Sequence, residues 1–413
     1  MWRLSVALAV LLSCAPVTVP SPSPVATGAS PPAATRPTAT PSPTKRPDLT
    51  ITAAGELRGD HALVLQGSQQ PGGAATAYRF WDVPLDGSAP KLLVAYNRGD
   101  QLLTDFDYFD FSRQLSPDGR RLVLTDPVDI AGTGLLVVDL VVGTTQRIAT
   151  SGAAGLPAWS PDGQQIAYRG FTVAGPFQKE SGIWVVSVSG GAPRQIWTSD
   201  RRAGDGAIVI YGWTGDGTGV AFSQNPIEVS VLDVSTGTVA RVAGAIHGIA
   251  WRAKRPSTVI ALDDEPSGPS SSGPRGAPSS IGRAGHVEVR ETTLAPARIV
   301  SRYGDVGTVL WGPQWNPTSN EVLMFWVCGA GAAERDELLV VDAVSGTRRA
   351  LPTPECVRSV AWSGDGTKIL YSGSQSVRVR NADGSADREL FRPELPAGAF
   401  QQNVGAVTAF APH

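Results

Sequence analysis

The chain has 413 residues, of which 42% are hydrophobic and only 17% charged, with 46 Gly, 33 Pro and a formal net charge of −2. Gly and Pro set turn geometry and interrupt helices, so this balance favours a turn-rich β protein over a helical one. No Lys/Arg run exceeds a pair, which excludes the basic stripe with which nucleic-acid binders displace counterions.

Met1, Trp2 and Arg3 supply one positive charge, and Leu4 to Leu12 form an apolar core broken only by Ser5. A stretch this short cannot span a bilayer, which takes about 20 residues, but it suits the hydrophobic region of a signal peptide. Leu11-Leu12-Ser13-Cys14 follows. With Leu at −3, Ser at −1 and Cys at +1, it resembles the bacterial lipobox, from which Leu12 at −2 departs. The resemblance implies a signal peptide over 1–13 and a diacylated Cys14 at the mature N-terminus. The protein would then sit at the cell membrane on its extracytoplasmic side, held by the lipid alone; the alternative is ordinary secretion. Residues 14–49 are mostly Pro, Ser, Thr and Ala. They cannot bury enough apolar surface to offset ordering, and they read as an extended tether. The folded domain is expected over 50–413.

From there the sequence repeats. AWSPDGQQIAY (158–168), AWSGDGTKILY (361–371), QLSPDGRRLVL (114–124) and GWTGDGTGVAF (212–222) share one plan, with weaker copies at 250–262 and 314–325. An apolar strand ends in Trp or Leu, Asp-Gly turns the chain, and a second apolar strand returns; Asp-Gly is the strongest short hairpin signal. A third strand follows, as in GLLVVDLVVGTT (134–145) and ELLVVDAVSGTR (337–348), and then a short fourth. Leu115, Trp159, Trp213, Trp251, Trp315 and Trp362 mark the repeat at spacings of 44, 54, 38, 64 and 47 residues. No sustained helical periodicity competes with this pattern.

These residues resemble the WD40-like PD40 repeats of TolB-type β-propellers, whose hallmark is a W-S-P-D-G hairpin. Trp159, Ser160, Pro161, Asp162 and Gly163 match it outright, Leu115 replaces the Trp in one copy, and Gly364 replaces the Pro in another. The copies at Trp251 and Trp315 keep the Trp and lose Asp-Gly. The resemblance implies an all-β propeller. Six units start near 109, 156, 210, 248, 311 and 358; residues 61–94 supply the later strands of another unit, and 404–413 its first strand. The expectation is seven blades, closed by pairing of the C-terminal strand with the N-terminal blade. Six or eight blades are the alternatives if 50–57 adds a strand.

The repeated Trp and Asp residues read as packing and turn residues, since a ligand site rarely recurs with the fold period. No catalytic residue, metal ligand set or cofactor motif emerges: the four His are scattered, and GDGTG (215–219) lacks the Lys and helix of a phosphate loop. In a four-stranded blade the Asp-Gly hairpins share one face of the disc. The second-to-third loops and inter-blade connections share the other, where binding residues would concentrate. That loop face is expected to carry Asp105, Asp107, Tyr108, Asp110, Phe177, Arg201, Arg202, Tyr211 and Tyr303. Cys328 and Cys356 reach the same face on neighbouring blades, and with Cys14 are the only cysteines; export makes a disulfide between them accessible. The leading expectation is a monomeric module binding a protein or cell-wall component. The alternative is a propeller enzyme, of lactonase, lyase or glycan-acting type, with its site at the channel mouth.

Overall fold

The computed structural model describes residues 49–55, 59–69, 76–98, 112–125, 134–174, 177–199, 208–225, 228–244, 246–252, 257–263, 285–303, 310–326, 337–373, 375–394 and 401–409. Blade 1 opens with β1 (Leu49–Ile51), β2 (His61–Gln69), β3 (Thr76–Pro84) and β4 (Lys91–Arg98). Blade 2 holds β5 (Arg121–Thr125), β6 (Leu135–Asp139) and β7 (Thr144–Ile148), and blade 3 holds β8 (Ala153–Trp159), β9 (Gln165–Ala174), β10 (Phe177–Ser187) and β11 (Arg194–Thr198). Blade 4 is β12 (Val209–Trp213), β13 (Gly219–Asn225), β14 (Glu228–Asp233) and β15 (Val239–Gly244). Blade 5 is β16 (Ile246–Trp251), β17 (Thr258–Asp263), β18 (Gly285–Arg290) and β19 (Arg298–Tyr303). Blade 6 is β20 (Leu310–Trp315), β21 (Glu321–Trp326), β22 (Glu337–Asp342) and β23 (Arg348–Pro352). Blade 7 is β24 (Ser359–Trp362), β25 (Lys368–Ser372), β26 (Val377–Asn381) and β27 (Arg388–Phe391), and β28 (Gln401–Ala409) ends the series.

Each blade is one antiparallel sheet, and there are seven. Blade 1 runs β1-β4-β3-β2-β28, so the C-terminal strand becomes its innermost strand, with Ala62 opposite Ala409 and Gln69 opposite Gln401. This is the expected closure, and it removes the exposed edge of an open ring. β1 adds a fifth, outer strand beside β4 and does not start another blade. Blade 2 departs from the four-strand plan. Its described first strand is a single bridge, Leu115 to Leu122, after a 3-10 turn at Ser112–Gln114.

The second strands are apolar on both faces because each face meets a different neighbour. Leu122 and Leu124 pack with Leu63, Phe80 and Leu93 of blade 1, whereas Val123 packs with Trp159 and Ile166 of blade 3. In blade 1, Ala62 and Val64 turn instead to Leu370 and Val379 of blade 7. The core is thus a ring of wedges between blades, and buried apolar area there is the main cohesive term.

The hairpins follow one design. Ser160 Oγ donates to Asp162 Oδ1 at 2.5 Å, Gln164 N donates to the same oxygen at 3.0 Å, and Gln165 N donates to Ser160 Oγ at 2.9 Å. Gly163 sits at φ +68°, a left-handed conformation costly for a residue with a Cβ. Asp216 and Asp365 repeat the arrangement with Thr214 and Ser363. Burial alone would raise the Asp216 carboxyl, but hydrogen bonds from Thr214 Oγ1 and Thr218 outweigh it and hold it below the usual range. The repeated Asp residues are therefore turn locks. In blade 6 Asn316 takes the role, its Oδ1 accepting from Thr318 N at 2.9 Å.

Candidate functional site

The first strands surround the propeller axis and bulge as they do so. Their pairing registers shift between Gly155 and Ala158, Ile210 and Gly212, Ile246 and Gly248, and Trp311 and Gln314. Such bulges re-aim side chains and recur beside functional sites. Here they border a cavity of about 290 Å³ lined from five successive blades. Ser112 and Arg113 come from blade 2, Trp159 from blade 3, Tyr211 to Trp213 from blade 4, Ile249 to Arg252 from blade 5, and Pro313 to Pro317 from blade 6. Arg252, Asn316 and Pro317 lie just past the first strands, so the cavity occupies the hairpin side of the axis.

The indole groups around it serve two purposes. Trp159 Nε1 donates to Gln114 O at 2.9 Å, Trp213 Nε1 to Ala158 O at 3.0 Å, and Trp362 Nε1 to Gln314 O at 3.2 Å. Each acceptor belongs to the preceding blade, one residue before its equivalent position, so these rings are inter-blade pegs as well as core. Trp251 and Trp315 are only half-buried and lie on the cavity wall. Trp251 Nε1 donates to Thr293 Oγ1 at 2.9 Å, within its own blade. Trp315 Nε1 is buried without a partner, as is Arg113 Nε.

Electrostatically the described wall is basic. It carries Arg113 and Arg252, with no carboxylate, histidine or cysteine among the described lining residues. Arg252 donates to Asn320 Oδ1 at 2.8 Å and to Ser319 O at 2.9 Å, and its guanidinium lies 5.4 Å above the Trp315 ring. Among the described residues no group of three or more His, Cys, Asp or Glu is placed to hold a metal ion.

Of the residues expected on the loop face, Asp105, Asp107, Tyr108, Asp110, Arg201 and Arg202 lie outside the described residues. Phe177 opens β10 opposite Ala174. Tyr211 stands in β12, half-buried on the cavity wall, with its hydroxyl 3.5 Å from Ser223 Oγ. Tyr303 ends β19 and is buried, packed edge-on against Trp326 with ring centroids 5.6 Å apart. Tyr211 thus lines the cavity on the hairpin side of the axis rather than standing on the loop face where it was expected, and Tyr303 lies in the core. Arg113, Trp251, Arg252 and Trp315 were not singled out from the sequence as site residues. A signal existed: Trp251 and Trp315 belong to the two copies that lost Asp-Gly. Cys356 is disulfide-bonded; Cys328, its expected partner, and Cys14 lie outside the described residues.

No protein-family model and no curated protein matches the sequence. Solved structures similar to the chain include oligogalacturonate lyase from Vibrio parahaemolyticus, at 10% identity and TM-score 0.48, covering 84% of this chain and 86% of the lyase. TolB from Acinetobacter baumannii is similar at 14% identity and TM-score 0.42, covering 91% and 89%. A functionally unknown protein from Desulfotomaculum acetoxidans has 12% identity and TM-score 0.48, covering 84% and 99%. In its own strand order and closure, this chain is a seven-bladed β-propeller.

Proposed function

We propose that the protein is a binding module of the bacterial envelope, tethered through a lipidated Cys14 and acting as a monomer on a protein or cell-wall component. The observation that supports this reading is the axial cavity. Its described wall offers ring faces and hydrogen-bond donors, the groups that recognise a ligand, without the paired acid and base that most hydrolytic or eliminative chemistry uses. Aromatic and Arg side chains on a rigid frame also dominate binding energetics.

Thermal unfolding of the detergent-solubilised full chain, in the presence of cell-wall fragments and peptides, tests the reading. A ligand that raises the melting temperature of the wild type and not of Tyr211→Ala supports it. A ligand chemically altered on incubation with the protein would favour the enzyme alternative. The anchor is tested separately: Cys14→Ser is expected to leave the membrane fraction, and its retention there, with no fatty-acid label on the wild type, would sink that part.

A further inference from the structure

The five tryptophans that end a first strand fall into two groups. Trp159, Trp213 and Trp362 are only 5%, 6% and 4% exposed, and each N–H is held by the preceding blade. Trp251 and Trp315 keep a larger exposed share, and both line the axial cavity. Tyr211, also half-buried, lines it from the blade before. Blades 4, 5 and 6 thus each bring one half-buried aromatic side chain to the same wall. Trp251, the middle one in blade order, is fixed from two sides. Its ring rests against Gly212, where an added Cβ would lie 3.4 Å from Cζ3. Its N–H is held by Thr293 Oγ1 at 2.9 Å, and that hydroxyl lies 2.9 Å from Thr258 Oγ1. A ring fixed in advance loses little freedom when a ligand settles on it.

The rest of the wall narrows the ligand. Aromatic walls also recognise cations, but Arg113 and Arg252 oppose one here, and no described lining residue is a carboxylate. A wholly apolar ligand would strip water from Ser112, Gln314 and Arg252 and return no hydrogen bond. A pyranose ring carries an apolar C–H face and a rim of hydroxyls, which matches a wall of aromatic surface interrupted by polar groups. The volume, about 290 Å³, lies near the lower end of the roughly 300–1,000 Å³ of small-ligand pockets, and so suits a ligand of one or two rings. We propose that the axial cavity binds a saccharide, one pyranose ring stacking on Trp251 while its hydroxyls meet the polar groups of the wall. This rests on the binding-module reading and names its ligand class.

Saturation-transfer NMR of the full chain, in a detergent without a sugar headgroup, tests the site with methyl β-glucoside, N-acetylglucosamine and glucuronate. Transfer to the ring C–H protons of at least one of them is expected, stronger on one face of the ring than on the other. Trp251→Leu should weaken that saccharide by about tenfold, the scale of a lost aromatic contact. Trp251→Phe keeps a ring and should retain most of the binding, and Trp362→Phe, outside the cavity wall, should retain all of it. If the Leu variant does not fold, a fluorotryptophan-labelled chain gives the same answer: the Trp251 resonance should shift on saccharide addition and the Trp362 resonance should not. Absence of transfer to all three saccharides, binding undiminished in Trp251→Leu, or an unmoved Trp251 resonance would overturn the proposal. A peptide that raises the melting temperature through Tyr211, with no saccharide bound, would keep the binding-module reading and discard the saccharide site.

Discussion

The Arg388 guanidinium donates to the carbonyl oxygen of Leu85 at 2.5 Å, joining blade 7 to blade 1 across 303 residues of sequence. Leu85 is the first residue after the third strand of its blade, and the same position accepts in other blades. Gln146 reaches Val188 O at 3.0 Å, Arg194 reaches Val234 O at 3.1 Å, Arg298 reaches Ala343 O at 2.5 Å and Arg349 reaches Ala382 O at 2.9 Å. Each donor stands on the outermost strand of the blade before. Between blades 1 and 2 a backbone amide substitutes, Ala54 N donating to Leu140 O at 2.7 Å. The hairpin side of the disc is thus stapled at its outer strands as well as pegged at its axis.

Closure therefore has two separable parts. Arg388→Met should lower stability by about 1–2 kcal/mol, the scale of one hydrogen bond from a charged donor, with cooperative unfolding retained. Deleting residues 401–413 removes β28 and exposes β2 as an open edge, and should abolish the single cooperative transition. Calorimetry of both variants checks the pair; an unchanged melting temperature in the truncated chain would contradict the role of β28.

The two classes of indole should respond differently to Trp→Phe. At Trp213 the substitution leaves Ala158 O without its donor and should cost about 1 kcal/mol or more. At Trp315 it removes an N–H that has no acceptor, so the ligand-free protein should lose little. Urea unfolding midpoints of the two variants make the comparison.

Stability should fall in acid through the turn carboxylates. Hydrogen bonds from Ser235 and Thr236 lower the Asp233 carboxyl to about 2, and Asp216 and Asp365 are lowered as well. A carboxylate lowered on folding contributes stability that is complete above its unfolded value of about 3.9 and is lost as pH falls through the folded value. Asp82 works in the opposite sense: burial raises it despite the 2.7 Å contact with His61, so its contribution is present at low pH and lost as pH rises. Urea midpoints measured from pH 5 down to pH 2 should drop, and Asp233→Asn should flatten that drop.

Reduction should destabilise blades 6 and 7 if Cys356 pairs with Cys328. Closing a loop of that length is worth about 3 kcal/mol in the chain-entropy model. Thiol titration of the unreduced, denatured protein should find neither thiol free; two free thiols from these positions would contradict the pairing.

The repeat, the hairpins and the closing strand were legible in the sequence because they depend on local chemistry. Asp162 and Gly163 make their turn wherever the chain goes, and the spacing from Leu115 to Trp362 counts blades without any contact being known. The double-sided apolar strands were legible for the same reason: Leu122 and Val123 must both be buried, whichever neighbour each meets. The site was not legible in this way. Trp159 and Trp315 occupy one position in the repeat and are indistinguishable as letters, yet the N–H of one is held by Gln114 and that of the other has no acceptor. Beside Trp315 the two blades meet closely at Gly248 and Pro313, on strands more than sixty residues apart in sequence. Tyr211 and Tyr303 diverge similarly: Tyr211 is the residue left out of register where β12 bulges and stands on the cavity wall, whereas Tyr303 at the end of β19 is buried against Trp326. Sequence by itself determined how many blades form and how they close. Only the tertiary structure decided which indole donors find an acceptor in the preceding blade and which do not, because that depends on backbone positions set by neighbouring blades.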